Sequence, residues 1–163
     1  MRTLSSGPYS NVCFPSTARW LLGREPVCVQ AQAVYRHGVD VHIAGILRFP
    51  GGTLACIEAG FISALQQTYS IVGSEGVIEL PHDAYIPWEK PAQYTLRSKT
   101  DEAGEVRTVA GSDEYRLMVE HFADAVQGKQ TLEYGPEDSV HNLQVLDALA
   151  AAAREDRTVH LAD

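Results

Sequence analysis

The order of the β-like and helical segments constrains this chain most. From Pro26 to Val109 it is a succession of β-like runs joined by short turns. Pro26–Arg36 alternates, with Val27, Val29, Ala31, Ala33 and Tyr35 on one side and Cys28, Gln30, Gln32 and Val34 on the other. Period-two alternation marks a half-buried strand. Val39–Phe49 is a second run, Pro50-Gly51-Gly52 a turn, and Thr53–Ile62 a third run, which together predict a hairpin. Thr68–Val72 and Val77–Leu80 flank the turn Gly73-Ser74-Glu75-Gly76 and predict a second hairpin. Tyr94–Lys99 and Glu105–Val109, across the polar turn Thr100–Gly104, predict a third. Strands met as adjacent hairpins, with helices kept to the ends, specify an α+β fold. Its sheet is open and mostly antiparallel with helices packed on one face, unlike a doubly wound βαβ fold.

The helices carry their own punctuation. Residues 15–22 read as a helix: Pro15 suits a first turn, Ala18, Leu21 and Leu22 share a face, and Gly23 stops it. In Ser112–Gln127 the apolar positions Tyr115, Met118, Val119, Phe122, Ala125 and Val126 form one stripe, with Ser112 as the expected N-cap and Gly128 as the stop. A second helix is expected from about Pro136 to Arg154, burying Val140, Leu143, Leu146, Leu149 and Ala150. A short strand, Thr158–Leu161, closes the chain, and residues 1–11 read as an irregular leader to a single domain over 12–163.

Composition excludes several functions. The chain has 163 residues, 45% of them apolar, and a formal net charge of −8. Its basic residues are scattered, which argues against nucleic acid or an anionic membrane as partner. Cys13, Cys28 and Cys56 have neither C-x-x-C pairing nor zinc spacing and are expected to be reduced thiols, with no metal. No stretch approaches the roughly 20 apolar residues of a membrane span, and residues 1–8 lack a signal-peptide core. A cytoplasmic protein is the expectation. The runs around Ile43, Gly45, Leu47, Leu54 and Cys56 are apolar on both faces. Such a surface is unusual on a soluble monomer, so the second sheet face is expected to form an oligomer interface.

No G-x-G-x-x-G follows a strand near the start, and Gly51-Gly52 and Gly73 with Gly76 sit in turns between β-like runs. A dinucleotide phosphate needs a strand, a tight glycine turn and a helix N-terminus in that order, so no cofactor-binding residue is expected in this chain.

Five local patterns occur in one order. They are Ala18-Arg19-Trp20-Leu21-Leu22-Gly23-Arg24-Glu25-Pro26, Phe49-Pro50-Gly51-Gly52-Thr53, Ile71 through Leu80, Tyr115 through Val126, and Glu137 through Arg154 with Thr158-Val159-His160-Leu161. Together they resemble the C-terminal domain of the Gfo/Idh/MocA oxidoreductases, relatives of glucose–fructose oxidoreductase and inositol dehydrogenase. The nucleotide-binding N-terminal domain of that family has no counterpart here. The resemblance implies an NAD- or NADP-dependent sugar or polyol oxidoreductase, in which this domain shapes the substrate pocket and its free sheet face mediates subunit contacts.

The resemblance also says where the acid/base groups stand. Hydride transfer to or from a sugar carbon requires a group that handles the hydroxyl proton. In the family that group is usually a Lys of the nucleotide domain, supported by an Asp and a Tyr or His. The Asp and Tyr positions fall in Ser10-Asn11-Val12-Cys13-Phe14-Pro15, where Ser10 replaces Asp and Phe14 replaces Tyr; a register using Gly7-Pro8-Tyr9 supplies a tyrosine but still no Asp. No catalytic residue is therefore expected, and the isolated chain is expected to be inactive.

Other residues invite a role. Tyr35, Arg36 and Glu58 are candidate substrate contacts, Glu58 being alternatively an interface carboxylate with a satisfied partner. Glu89-Lys90-Pro91 spells the family's E-K-P, but with no Rossmann segment upstream it reads as a solvated loop. His121 and Asp124 lie at i and i+3, where two ligands can share a helix side, although surface placement is the plainer alternative. His141 begins the next helix, and His37 and His42 flank Asp40. A homodimer through the open sheet face is the expected assembly. A split enzyme completed by a separate Rossmann-domain chain and a non-catalytic sugar-binding scaffold are the competing expectations.

Overall fold

The structure is a computed structural model. It describes residues 13–82, 84 and 89–161, with Cys13, Phe14 and Glu102 described in their backbone only. The chain forms two compact units, one of residues up to Gln66 together with those from Pro136, the other of Gln67–Gly135.

The first unit holds α1 (Cys13–Leu22), β1 (Cys28–Arg36), β2 (Val39–Arg48) and β3 (Leu54–Gly60). Within the chain's numbering, the second unit then contributes β4 (Tyr69–Val72), β5 (Gly76–Leu80), β6 (Ala92–Ser98), β7 (Asp101–Val109) and α2 (Glu114–Val126). The first unit resumes with α3 (Pro136–Glu155) and β8 (Val159–His160). All described strand pairings are antiparallel, in the orders β3-β2-β1-β8 and β4-β5-β6-β7. The fold is thus α+β, and the strands divide between two four-stranded sheets instead of continuing as one.

Alternation on β1–β3 sorts the first sheet into a covered and an open face. Val29, Ala31, Leu47, Ile57 and Ala59 are buried, and α3 packs over β1 on this side. The register sets Val29 opposite Leu47, and Ala31 opposite Gly45, which pairs in turn with Ile57. Gly45 is where the helix comes nearest: a Cβ there would meet Leu149 Cδ2 at 2.8 Å and the Gln30 carbonyl oxygen at 3.1 Å. Pro50-Gly51-Gly52 forms a short 3-10 turn that joins β2 to β3 and is closed by the bond from Gly52 N–H to the Phe49 carbonyl. Gly51 and Gly52 have φ of 80° and 87°, a left-handed pair that only glycine adopts without strain.

Three helical expectations change in detail. The α3 stripe is shifted: Leu149 is buried as expected, but its companions are Asn142, Val145, Ala148 and Ala152, while Val140 and Leu143 are exposed. The sheet under α3 carries Ala31, Gly45 and Ala59, and the space over Gly45 takes Leu149 Cδ2, so the face through Val145 and Leu149 turns inward while Val140 and Leu143 are left outside. The cap of α2 is Asp113, whose Oδ1 accepts from Arg116 N–H at 2.9 Å, in place of Ser112. Tyr115, Met118, Val119, Phe122 and Val126 are all more than half exposed, so the α2 stripe is not a core face among the described residues. The expected turn at Thr100–Gly104 shortens to Lys99–Thr100, because β7 already begins at Asp101.

Candidate functional site

The open face of the first sheet is the surface that the fold leaves available. It carries Val34, Ala44, Ile46, Leu54 and Cys56 among Gln30, Gln32, Arg48, His42 and Glu58, the positions that alternate with the covered set. Ile46 and Leu54 remain 37% and 52% exposed.

A strap borders this face on the β8 side. Gln30 Nε2 donates to Thr158 Oγ1 at 2.7 Å and Gln32 Nε2 to Asp156 Oδ1 at 2.6 Å. Asp156 ends α3 at φ 49°, a conformation that usually calls for glycine at a helix C-terminus. Here the carboxylate's bond to Gln32 offsets part of that cost. Strap and sheet together line a shallow trough of about 620 Å³, with Gln30, Gln32, Ile46, Cys56, Asp156 and Thr158 on its walls.

Glu58 lies on the same open face and has a partner. His42 Nε2 is 2.9 Å from Glu58 Oε1, both side chains about a third exposed. Tyr35 and Arg36 stand at the far end of β1, beside the His37-Gly38 turn whose φ values of 52° and 80° close the β1–β2 hairpin. Both are exposed. Ser10 lies outside the described residues, as does the Phe14 side chain. Lys90 is exposed. His121 and Asp124 each bond to the segment after α2, and no group of three or more His, Cys, Asp or Glu among the described residues is placed to hold a metal ion.

The most buried charged residue was legible only as part of a helix-end pattern. Arg19 is 5% exposed. Its Nε and Nη2 donate to Glu25 Oε2 and Oε1 at 2.6 and 2.8 Å, and Nη2 also reaches Asp138 Oδ1 at 2.7 Å. His141 Nδ1 lies 3.7 Å from the same Glu25 carboxylate. The hydrogen bond to Glu25 raises the guanidinium's pKa further, against burial and with help from Asp138. Arg19 therefore fastens α1, the segment leading into β1 and the first turn of α3 to one another. Because Glu25 is separated from Arg19 by six positions and Asp138 by 119, only the tertiary fold could show the cluster.

With this geometry in view, the comparisons are specific. Residues 16–161 match the model of the Gfo/Idh/MocA oxidoreductase family, C-terminal alpha/beta domain. The chain belongs to this family. A curated relative of this Gfo/Idh/MocA domain is D-xylose 1-dehydrogenase (NADP(+)) 2 of Haloferax volcanii, 29% identical over 124 residues, which cover 76% of this chain and 38% of that protein. Among solved structures, the aldose-aldose oxidoreductase of Caulobacter crescentus complexed with glycerol superposes with TM-score 0.76 at 21% identity, covering 98% of this chain and 55% of that one. The 3-ketoreductase KijD10 of Actinomadura kijaniata, in complex with NADP and TDP-benzene, superposes with TM-score 0.81 at 18% identity, covering 92% and 52%. The Gfo/Idh/MocA domain described here thus spans about half the length of these solved relatives or less of the curated one.

Among the described residues no G-x-G-x-x-G turn joins a strand to a helix N-terminus. Every described strand pairing is antiparallel, and the glycine turn at Gly51-Gly52 leads into β3 instead of a helix N-terminus. No described helix is long and apolar enough to cross a membrane.

Proposed function

We propose that this chain is the substrate-shaping and subunit-pairing part of an NAD- or NADP-dependent sugar or polyol oxidoreductase, and that it transfers no hydride by itself. The observation that carries this is the family match over residues 16–161 in a chain spanning about half of its solved relatives. The relatives' names supply the substrate and cofactor classes: one acts on D-xylose with NADP(+), and another was solved with NADP.

Two features support the lack of independent activity. No described strand leads through a G-x-G-x-x-G turn into a helix N-terminus, the form that a dinucleotide's phosphates need. In one register Ser10 and Phe14 take the positions of the family's Asp and Tyr, and in the register through Gly7-Pro8-Tyr9 a tyrosine is kept but still no Asp; a phenyl ring exchanges no proton, and a serine hydroxyl is a far weaker base than a carboxylate. Tyr35, Arg36 and Glu58 remain the candidate substrate contacts, with Glu58 oriented by His42. The open face of the first sheet is the proposed homodimer surface, and the cytoplasm the proposed location.

The test is fluorescence titration of the purified chain with NADH and NADPH, its mass in solution recorded alongside. The expected result is no saturable binding and a dimer mass. Saturable binding at micromolar cofactor would overturn the assignment and make Lys90 the first residue to replace.

A further inference from the structure

His121 and Asp124 sit one turn apart on α2, and both find partners in the segment that follows the helix. His121 Nε2 accepts a hydrogen bond from the Glu133 backbone N–H at 3.2 Å. Gln130 Nε2 donates to the His121 carbonyl oxygen at 3.1 Å. Lys129 Nζ reaches Asp124 Oδ1 at 3.1 Å, and its backbone N–H bonds the Asp124 carbonyl at 2.9 Å. Residues 127–135 therefore fold back along the last turns of α2. This segment ends at Gly135, where the second unit gives way to the first.

We propose that His121 is a proton-operated clasp on this connector: the neutral imidazole holds Glu133 against α2, and the imidazolium releases it. The clasp follows from valence. An imidazole nitrogen accepts a hydrogen bond only while it carries no proton, so the ring seen here has its hydrogen on Nδ1. A proton added at Nε2 sets one donor against another, and the bond is lost. Imidazole is the side chain whose charge ordinarily changes between about pH 5 and 8, so the clasp works within an accessible range.

Charged side chains flank this contact along the helix and the connector. From its own helix comes Asp124, engaged by Lys129. From the connector come Lys129 itself and the Glu133 carboxylate, whose Oε1 accepts from the Tyr134 hydroxyl at 3.2 Å. The Gln130 bond to the His121 carbonyl involves no titratable group, so release is confined to the stretch around Glu133.

The experiment is residue-resolved amide exchange of the full chain at pH 5 and pH 8, corrected for intrinsic exchange, with the ¹⁵N shifts of the His121 ring recorded at both. The expected result is about fivefold greater protection of the Glu133 amide at pH 8, the ratio one net hydrogen bond sustains, with an unprotonated Nε2. His121→Gln supplies an acceptor that does not titrate and is expected to keep the protection at pH 5. His121→Leu is expected to lose it at both pH values. Protection in the unsubstituted chain that is equal at pH 5 and 8, or a ring protonated on Nε2 at pH 8, would overturn the clasp. Those two measurements decide it even where His121→Leu disturbs α2.

Discussion

Arg19 shows how much one side chain can organise. Its planar fork meets two carboxylates at once, which a lysine ammonium on a flexible stem does not reproduce. Because Glu25 and Asp138 are 49% and 37% exposed, they regain water when the guanidinium is removed, and the loss stays below that of a fully buried pair. Arg19→Lys is expected to destabilise the first unit by about 2 kcal/mol, measured by denaturant unfolding, with Arg19→Met at least as severe; an unchanged midpoint for Arg19→Lys would show that the second carboxylate contributes nothing. Tyr69, on β4, makes a pH-dependent prediction. Burial pushes its phenol above the ordinary value of 10.0. A raised pKa in the folded state means stability that is complete below about pH 10 and lost as pH rises through the folded value. Unfolding midpoints of the second unit's signal should therefore fall as the pH rises above about 10, and Tyr69→Phe should flatten that part of the curve.

At the scale of elements, the meeting of β2 with α3 depends on a missing side chain. A Cβ at Gly45 would press on Leu149 Cδ2, which can yield, and on the Gln30 carbonyl, which belongs to the sheet and cannot yield easily. Gly45→Ala is expected to cost about 1–2 kcal/mol through overpacking. Combining it with Leu149→Ala should cost less than the sum of the two singles, and strict additivity in the double-mutant cycle would refute the contact. The same contact explains what the sequence disclosed. The strands of the first sheet were legible because their alternation and the Pro50-Gly51-Gly52 turn are local signals. The phase of α3 was not, because its 148–153 segment is rich in alanine and nearly every phase offers some apolar face; the choice among them was made by Ala31, Gly45 and Ala59 on three other elements. The α2 helix was legible from its period, but periodicity shows that a stripe exists and not what covers it. The N-cap slipped from Ser112 to Asp113 since both residues can cap. Within the candidate site, Glu58 could be singled out as a carboxylate in an apolar strand, whereas its pairing with His42 required the β2–β3 register.

For the molecule as a whole, the proposal to test is pairing of two copies through the open face of the first sheet. The first unit covers only one side of its sheet with α3, and the other side mixes Val34, Ala44, Ile46, Leu54 and Cys56 with amides and ion-pairing groups. Interfaces that hold subunits together tend to be apolar at their centre with a polar rim, and this surface has that arrangement: Ile46 lies opposite both Gln30 and Cys56, while the bonded strap at Asp156 and Thr158 forms one edge. A chain with net charge −8 gains no general attraction for a second copy, so apolar burial on such a face would have to outweigh repulsion between two acidic subunits. Raising the salt concentration should then tighten the dimer by screening that repulsion. Replacing Ile46 or Leu54 with Asp would bury an unpaired carboxylate in each half of the interface, twice per symmetric dimer, at a cost of several kcal/mol. Each substitution is expected to shift sedimentation equilibrium from dimer to monomer and raise the dissociation constant at least about 100-fold. Because both side chains are exposed in the single chain, far-UV circular dichroism and the unfolding midpoint extrapolated to the monomer should barely move. A dimer that survives both substitutions pairs through some other surface, and an unsubstituted chain that stays monomeric at high micromolar concentration leaves the open face without the role assigned to it.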